Sequence, residues 1–306
     1  MADRRVLLPA VDFPEMRLGR HVNHDPQSLR FLVAPPTVRA TPKSVKWTRR
    51  VPVYNQGNLG SCVPNTGWGI LGTDPYWDTL STELKRALSD ANAVQNSHVL
   101  PLYRECTAND PFAGQWEPED TGSDGLTLAK MLHRRGHISG YQHATSIAAC
   151  HEAIQKGPFA IGVPWYQNMF NPDSNGVVTI GGAMVGGHEI VVDQYDLEND
   201  RWWCTNSWTT SWGVQGRFAM SSATFQTLLS RQGDATFFVP ITAPAPVPTD
   251  PPGPVSPVPD PTPGTDPLKN FPYSTMDAWA ARETTAWPRY QQRAAQTYKT
   301  WRNTPR

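Results

Sequence analysis

Pro52-Val53-Tyr54-Asn55-Gln56-Gly57-Asn58-Leu59-Gly60-Ser61-Cys62 is the stretch on which the reading of this 306-residue chain turns. A turn-rich run ends on a cysteine, and the residues after it predict a helix that starts at Cys62. Unpaired backbone N–H groups at a helix start favour a thiolate placed there. Far downstream come Gly186-Gly187-His188 and Asn206-Ser207-Trp208. An imidazole can take a thiol's proton and return it, and a side-chain amide can hold the ring in place. A cysteine early, with a histidine and an asparagine late, points to nucleophilic acyl-transfer chemistry.

Around these motifs the chain divides by composition. Residues 1–44 carry prolines at 9, 14, 26, 35, 36 and 42 and little periodicity, and read as an arm packed on the domain. Residues 45–240 form the expected catalytic domain. Its first half reads as helical: a helix from Cys62, one over 78–89, one capped by Ser123 or Asp124 and ended by Gly136, and one from Ser146 to Gly157. Its second half reads as strands at 159–163, 189–195, 201–205, 216–220 and 236–239, with a short helix over 223–231. A helical half followed by a β half predicts an α+β domain with a cleft between two lobes. The nucleophile would lie on one wall and the base on the other.

Residues 241–270 are crowded with proline, which fixes φ and withholds amide donors, so they read as a semi-rigid linker. In 271–306, Trp279, Trp287, Tyr290, Tyr298 and Trp301 recur at near-helical steps, and six Lys/Arg against Asp277 and Glu283 make the segment basic. A basic aromatic stripe on a tether suggests docking to a protein assembly or self-association.

Lysine plus arginine and aspartate plus glutamate balance at 27 each, which gives no indication of a nucleic-acid partner. No run of eighteen apolar residues predicts a membrane span. Pro9 stops the short apolar run near the N-terminus, so no ordinary secretory signal is read there, and synthesis in the cytoplasm is expected. Cys62, Cys106, Cys150 and Cys204 are widely spaced and lack a CxxC pair, which predicts buried free thiols rather than a disulfide scaffold or zinc site. His133 and His137 have no third ligand in view. No metal and no cofactor are expected.

The motifs resemble those of the papain-like, C1-type cysteine peptidases, above all the compact bacterial and phage members. Pro52-Val53-Tyr54-Asn55-Gln56-Gly57 resembles that family's "PVYxQG" and Leu59-Gly60-Ser61-Cys62 its "LGSC". The block Asn206-Ser207-Trp208-Thr209-Thr210-Ser211-Trp212-Gly213 is similar to its "NSWGxxWG". The resemblance covers about 45–240 and implies a two-lobed fold acting on a peptide or protein substrate. It implies Cys62 as nucleophile, His188 as base and later acid, and Asn206 as the group orienting the ring. Gln56 is implied as an oxyanion donor beside the Cys62 N–H, with Trp208 and Trp212 shielding the site. It also implies either no inhibitory prosegment or a short arm over the cleft.

This chain departs from the pattern at Val63 after the nucleophile, Glu189 after the histidine and Thr209 after the tryptophan. Strand alternation places Glu189 on the face opposite His188. Asp193 breaks an apolar strand and marks either a pocket or a change of face. The resemblance implies a thiol peptidase, with a virion component in view from the phage members. Two other readings stand beside it: a structural or binding protein of an assembly, and a cell-wall peptide amidase or transpeptidase.

Overall fold

The computed structural model describes residues 16–25, 28, 32–33 and 42–241. The expected linker and docking tail, 241–270 and 271–306, lie outside the described residues apart from Ile241, and the chain divides into two units after Ala245.

Helix α1, Cys62–Leu71, is buried along its whole length, so its sequence is apolar or small all round rather than amphipathic. Helices α2, Thr82–Ser89, and α3, Leu100–Asn109, follow, then α4, Gly125–Arg134, and α5, Ile147–Ile154. Three of these four starts are fixed by side-chain caps. Ser81, Asp124 and Ser146 each accept a hydrogen bond from the N–H three residues on, satisfying a donor that has no intrahelical partner. Gly136 takes the left-handed φ of +71° just past α4, which stops that helix.

Among the described residues, seven strands form one antiparallel sheet. They are β1, Val45–Lys46; β2, Gly140–Ala144; β3, Phe159–Tyr166; β4, Met184–Asp196; β5, Arg201–Thr205; β6, Arg217–Met220; and β7, Asp234–Val239. The order is β2-β7-β3-β4-β5-β6, with β1 also on β4. Helix α6, Ser222–Ser230, joins β6 to β7. Two apolar cores result. One gathers α1, α3 and α4 around Trp68, Leu102 and Leu128; the other fills the sheet lobe around Trp165, Trp202 and Phe218. The α+β, two-lobed expectation describes this architecture.

Several element readings need correction. The helix expected over 78–89 is two pieces, a 3-10 turn at Tyr76–Thr79 and then α2, because Leu80 turns extended before the Ser81 cap. Strand β4 starts at Met184, five residues before Glu189, since the glycines at 186 and 187 pair with β3 rather than ending the strand. Residues 95–109, a π-helical turn running into α3, and β2 were not read from sequence at all. At Asp193 the register of β4 on β5 shifts between Val192 and Gln194. That bulge turns the carboxylate inward, where Thr205 donates to it at 2.5 Å and Arg217 pairs with it.

Candidate active site

Cys62 is the first residue of α1, completely buried, with Ser61 before it offering no side-chain cap. The backbone N–H groups of Glu189, Gly19 and Val63 favour the thiolate, but burial outweighs them and pushes the thiol up to about 12. The lowered pKa expected at a helix start is therefore not the condition of this closed arrangement. Desolvation of a charge exceeds what three dipoles return.

His188 enters on β4, opposite Val163 of β3, and Asn206 follows β5 directly. His188 Nε2 lies 2.8 Å from Asn206 Oδ1. An amide oxygen only accepts, so the ring nitrogen donates, and in the neutral imidazole the lone pair is left on Nδ1. Nδ1 is buried and makes no hydrogen bond. Burial pushes His188 down to about 4, with the Asn206 bond pulling the other way. The ring lies against Trp208, stacked at 4.5 Å between centroids, and meets the edge of Trp165 at 5.0 Å. Trp212 packs on Trp208 and donates to Phe170 O at 2.8 Å. Both tryptophans named from sequence thus stand around the imidazole. Trp165 was missed, as nothing in a buried strand marks which aromatic ring faces a base.

Gln56 is brought to the same place by the loop before α1, which is tied to the loop after β5. Gln56 N donates to Ser207 O at 2.9 Å, and Ser207 Oγ donates to Gln56 Oε1 at 2.6 Å. The amide is thereby oriented with its Nε2 toward Leu59 O, 2.8 Å, and Arg17 O, 2.9 Å. Ser207 was not singled out from sequence, although it stands inside the Asn206-Ser207-Trp208 block. Thr209 takes the left-handed φ of +65° at the position where the family pattern has glycine, and its hydroxyl is satisfied by Ser211 at 2.6 Å.

Residues 16–21 of the arm lie in the cleft. Gly19 N and Arg20 N both donate to Gly187 O, at 3.1 and 3.0 Å, next to the histidine. On the other wall Ser123 N donates to Gly19 O at 2.9 Å and His21 N to Ser123 O at 2.7 Å, so Arg20 pairs with Ser123 in the parallel sense. Leu18 is buried in the sheet-lobe core. Met16 lines a cavity of about 410 Å³ beyond Gln56, with Asn55, Trp208 and Trp212. Residues 16–21 thus bridge the two walls, and Arg17 O accepts the Gln56 amide N–H.

A family model described as "Papain family cysteine protease" matches residues 115–232. Over 74 residues the chain is 35% identical to "Cathepsin B-like cysteine proteinase 6" of Caenorhabditis elegans, a match spanning 22% of this chain and 20% of that relative's length. Among solved structures it is similar to xylellain, a cysteine protease from Xylella fastidiosa, with a TM-score of 0.58 at 18% identity. That likeness covers 74% of this chain and 97% of the other, and it speaks for the fold.

Proposed function

We propose that this chain is a papain-like, C1-type thiol peptidase acting through an acyl-enzyme at Cys62. The observation that carries the reading is the buried, Asn206-held imidazole, whose Nδ1 makes no hydrogen bond in the described form. In this reading Nδ1 takes the Cys62 proton as the sulfur bonds to the peptide carbonyl carbon. The oxygen that becomes negative is met by the Gln56 amide and the Cys62 backbone N–H. His188 then gives the proton to the departing amine as the C–N bond breaks. Water, deprotonated by His188, adds to the thioester and releases the acid and the thiol. A positioned donor at a developing oxyanion is worth about 3 kcal/mol of barrier.

The arm holds the described form closed. It covers the thiol, uses the Gln56 donor and satisfies Gly187 and Ser123, so a substrate must displace it. Peptide or protein is the substrate class. A place in a phage virion, supported by the "LGSC" and "PVYxQG" motifs, and association with an assembly through residues 271–306, supported by their basic aromatic spacing, belong to the same proposal. Intact-mass spectrometry after exposure to a peptidyl epoxide tests the chemistry. One adduct is expected in the native chain and none in Cys62→Ala. Adducts spread over Cys106, Cys150 and Cys204, or persisting in the variant, would sink the reading.

A further inference from the structure

Glu189 follows His188 directly and is completely buried, yet neither carboxylate oxygen has a hydrogen-bond partner. In the sheet register it faces Gly162 across the β3–β4 pair. Cross-strand partners share a face, so a side chain at 162 would occupy the space the carboxylate looks into. A Cβ at Gly162 would stand 2.7 Å from Glu189 Oε2, 2.7 Å from Asp234 Oδ1 and 2.5 Å from Arg20 Nε. One at Gly125 would stand 2.6 Å from the other Glu189 oxygen and 3.3 Å from Asp234 Oδ2. Two glycines therefore hollow out a pocket with two carboxylates on its walls, and the guanidinium of Arg20 fills it. Arg20 pairs with Asp234 and donates to Gln232 O at 2.9 Å, while its Nε has no hydrogen-bond partner. The nearby Asp124 is already committed to Thr127 and Asn23.

We propose that this pocket is a specificity subsite for a basic side chain of the substrate, arginine above all, and that Arg20 of the arm occupies it as a stand-in. The inference rests on the thiol peptidase reading and adds the substrate class. Arg20 reaches the pocket from a backbone bonded to Gly187 and Ser123, the two rails beside the catalytic pair. An extended peptide laid on the same rails delivers a side chain to the same place. Once the arm leaves, Glu189, buried in the described form, and Asp234, 22% exposed there, lose the guanidinium that faces them both. Burial, and next the charge of Asp234, hold Glu189 well above the usual carboxylate range, while Arg20 draws it back down. A cationic side chain restores the pairing; an apolar one leaves buried acceptors unmet, and an acidic one adds repulsion. A planar guanidinium also presents several donors at fixed angles to two walls, which an ammonium does not.

The test uses the full chain and tripeptidyl epoxides in which one position at a time is arginine, norleucine or glutamate. Arm opening slows every probe by the same factor and drops out of the ratios. At one position the arginine probe should modify Cys62 about tenfold or more faster than norleucine, with glutamate slowest. Glu189→Gln with Asp234→Asn should erase that order. Equal rates for the three probes in the unmodified chain, or norleucine leading at every position, overturns the subsite. A second measurement does not depend on the thiol. In Arg20→Ala, millimolar ethylguanidinium should raise Tm while equal sodium chloride does not. If no probe modifies Cys62, the peptidase reading falls and the pocket is judged on this rescue alone: a selective gain supports a guanidinium site, and no gain rejects it.

Discussion

Ser207 and His188 illustrate how much of this site depends on one hydrogen bond per residue. The hydroxyl of Ser207 holds Gln56 Oε1, and so turns the amide N–H groups toward the cleft. In Ser207→Ala the amide keeps its Leu59 contact but loses its anchor, and kcat/KM should fall about tenfold with KM little changed, because the donor is needed mainly in the transition state. A rise in KM with kcat intact would show that Ser207 serves substrate binding instead. For His188 the consequence concerns pH. Its pKa lies near 4 in the folded, closed protein, against an ordinary value of about 6.5. Unfolding therefore takes up a proton between those limits. The stabilisation from keeping the ring neutral is full above about pH 6.5, declines as pH falls toward 4, and reaches at most about 3 kcal/mol. Compared with His188→Gln, the native chain should lose Tm selectively over that window. Parallel Tm profiles for the two would mean the imidazole is not held neutral.

At the scale of elements, the arm is the piece whose removal changes most. Gly19 lies so close to the loop before Cys62 that a Cβ would stand 1.9 Å from Gly60 O, a rigid backbone atom. Gly19→Ala should lift the arm and draw Leu18 out of the sheet-lobe core, so Cys62 should react with iodoacetamide about tenfold or more faster at a modestly lowered Tm. Unaltered protection of the thiol would show that the arm is not what covers it. Little of this was legible in the sequence. The three motif blocks carried Cys62, His188, Asn206 and Gln56, because each combines a turn signal with a chemically distinctive side chain. Caps at Asp124 and Ser146 were likewise visible, being local. The arm's seat was not, since Gly19 and Leu18 acquire meaning only opposite Gly60 and Gly186, which are distant in the chain. Residues 95–109 escaped because no cap or regular apolar spacing marks them, and Pro101 lies inside the helical run, where the π-helical turn passes into α3. Alternation alone put Glu189 on the face away from His188. It could not show that Gly162 leaves that face hollow.

For the whole molecule, the question is what residues beyond the sheet contribute. Strand β7, Asp234–Val239, pairs with β2 on one side and β3 on the other, so the sheet has no open edge there for a following segment to extend. Among the described residues, both cores are built between Leu18 and Phe238. The proline-rich stretch after them lacks the amide donors a strand or helix would need. On these points the described body is built without the segments that follow it, which supports the proposal that the basic aromatic segment 271–306 serves docking. Ending the chain after Ala245 should therefore leave Tm and the rate on a small peptide substrate unchanged while abolishing association with an assembly or a second copy, as read by light scattering and pull-down with the full chain. A large drop in Tm, or tight binding of the separate 271–306 peptide back onto the shortened chain, would make the segment a clasp on its own body and end the docking proposal.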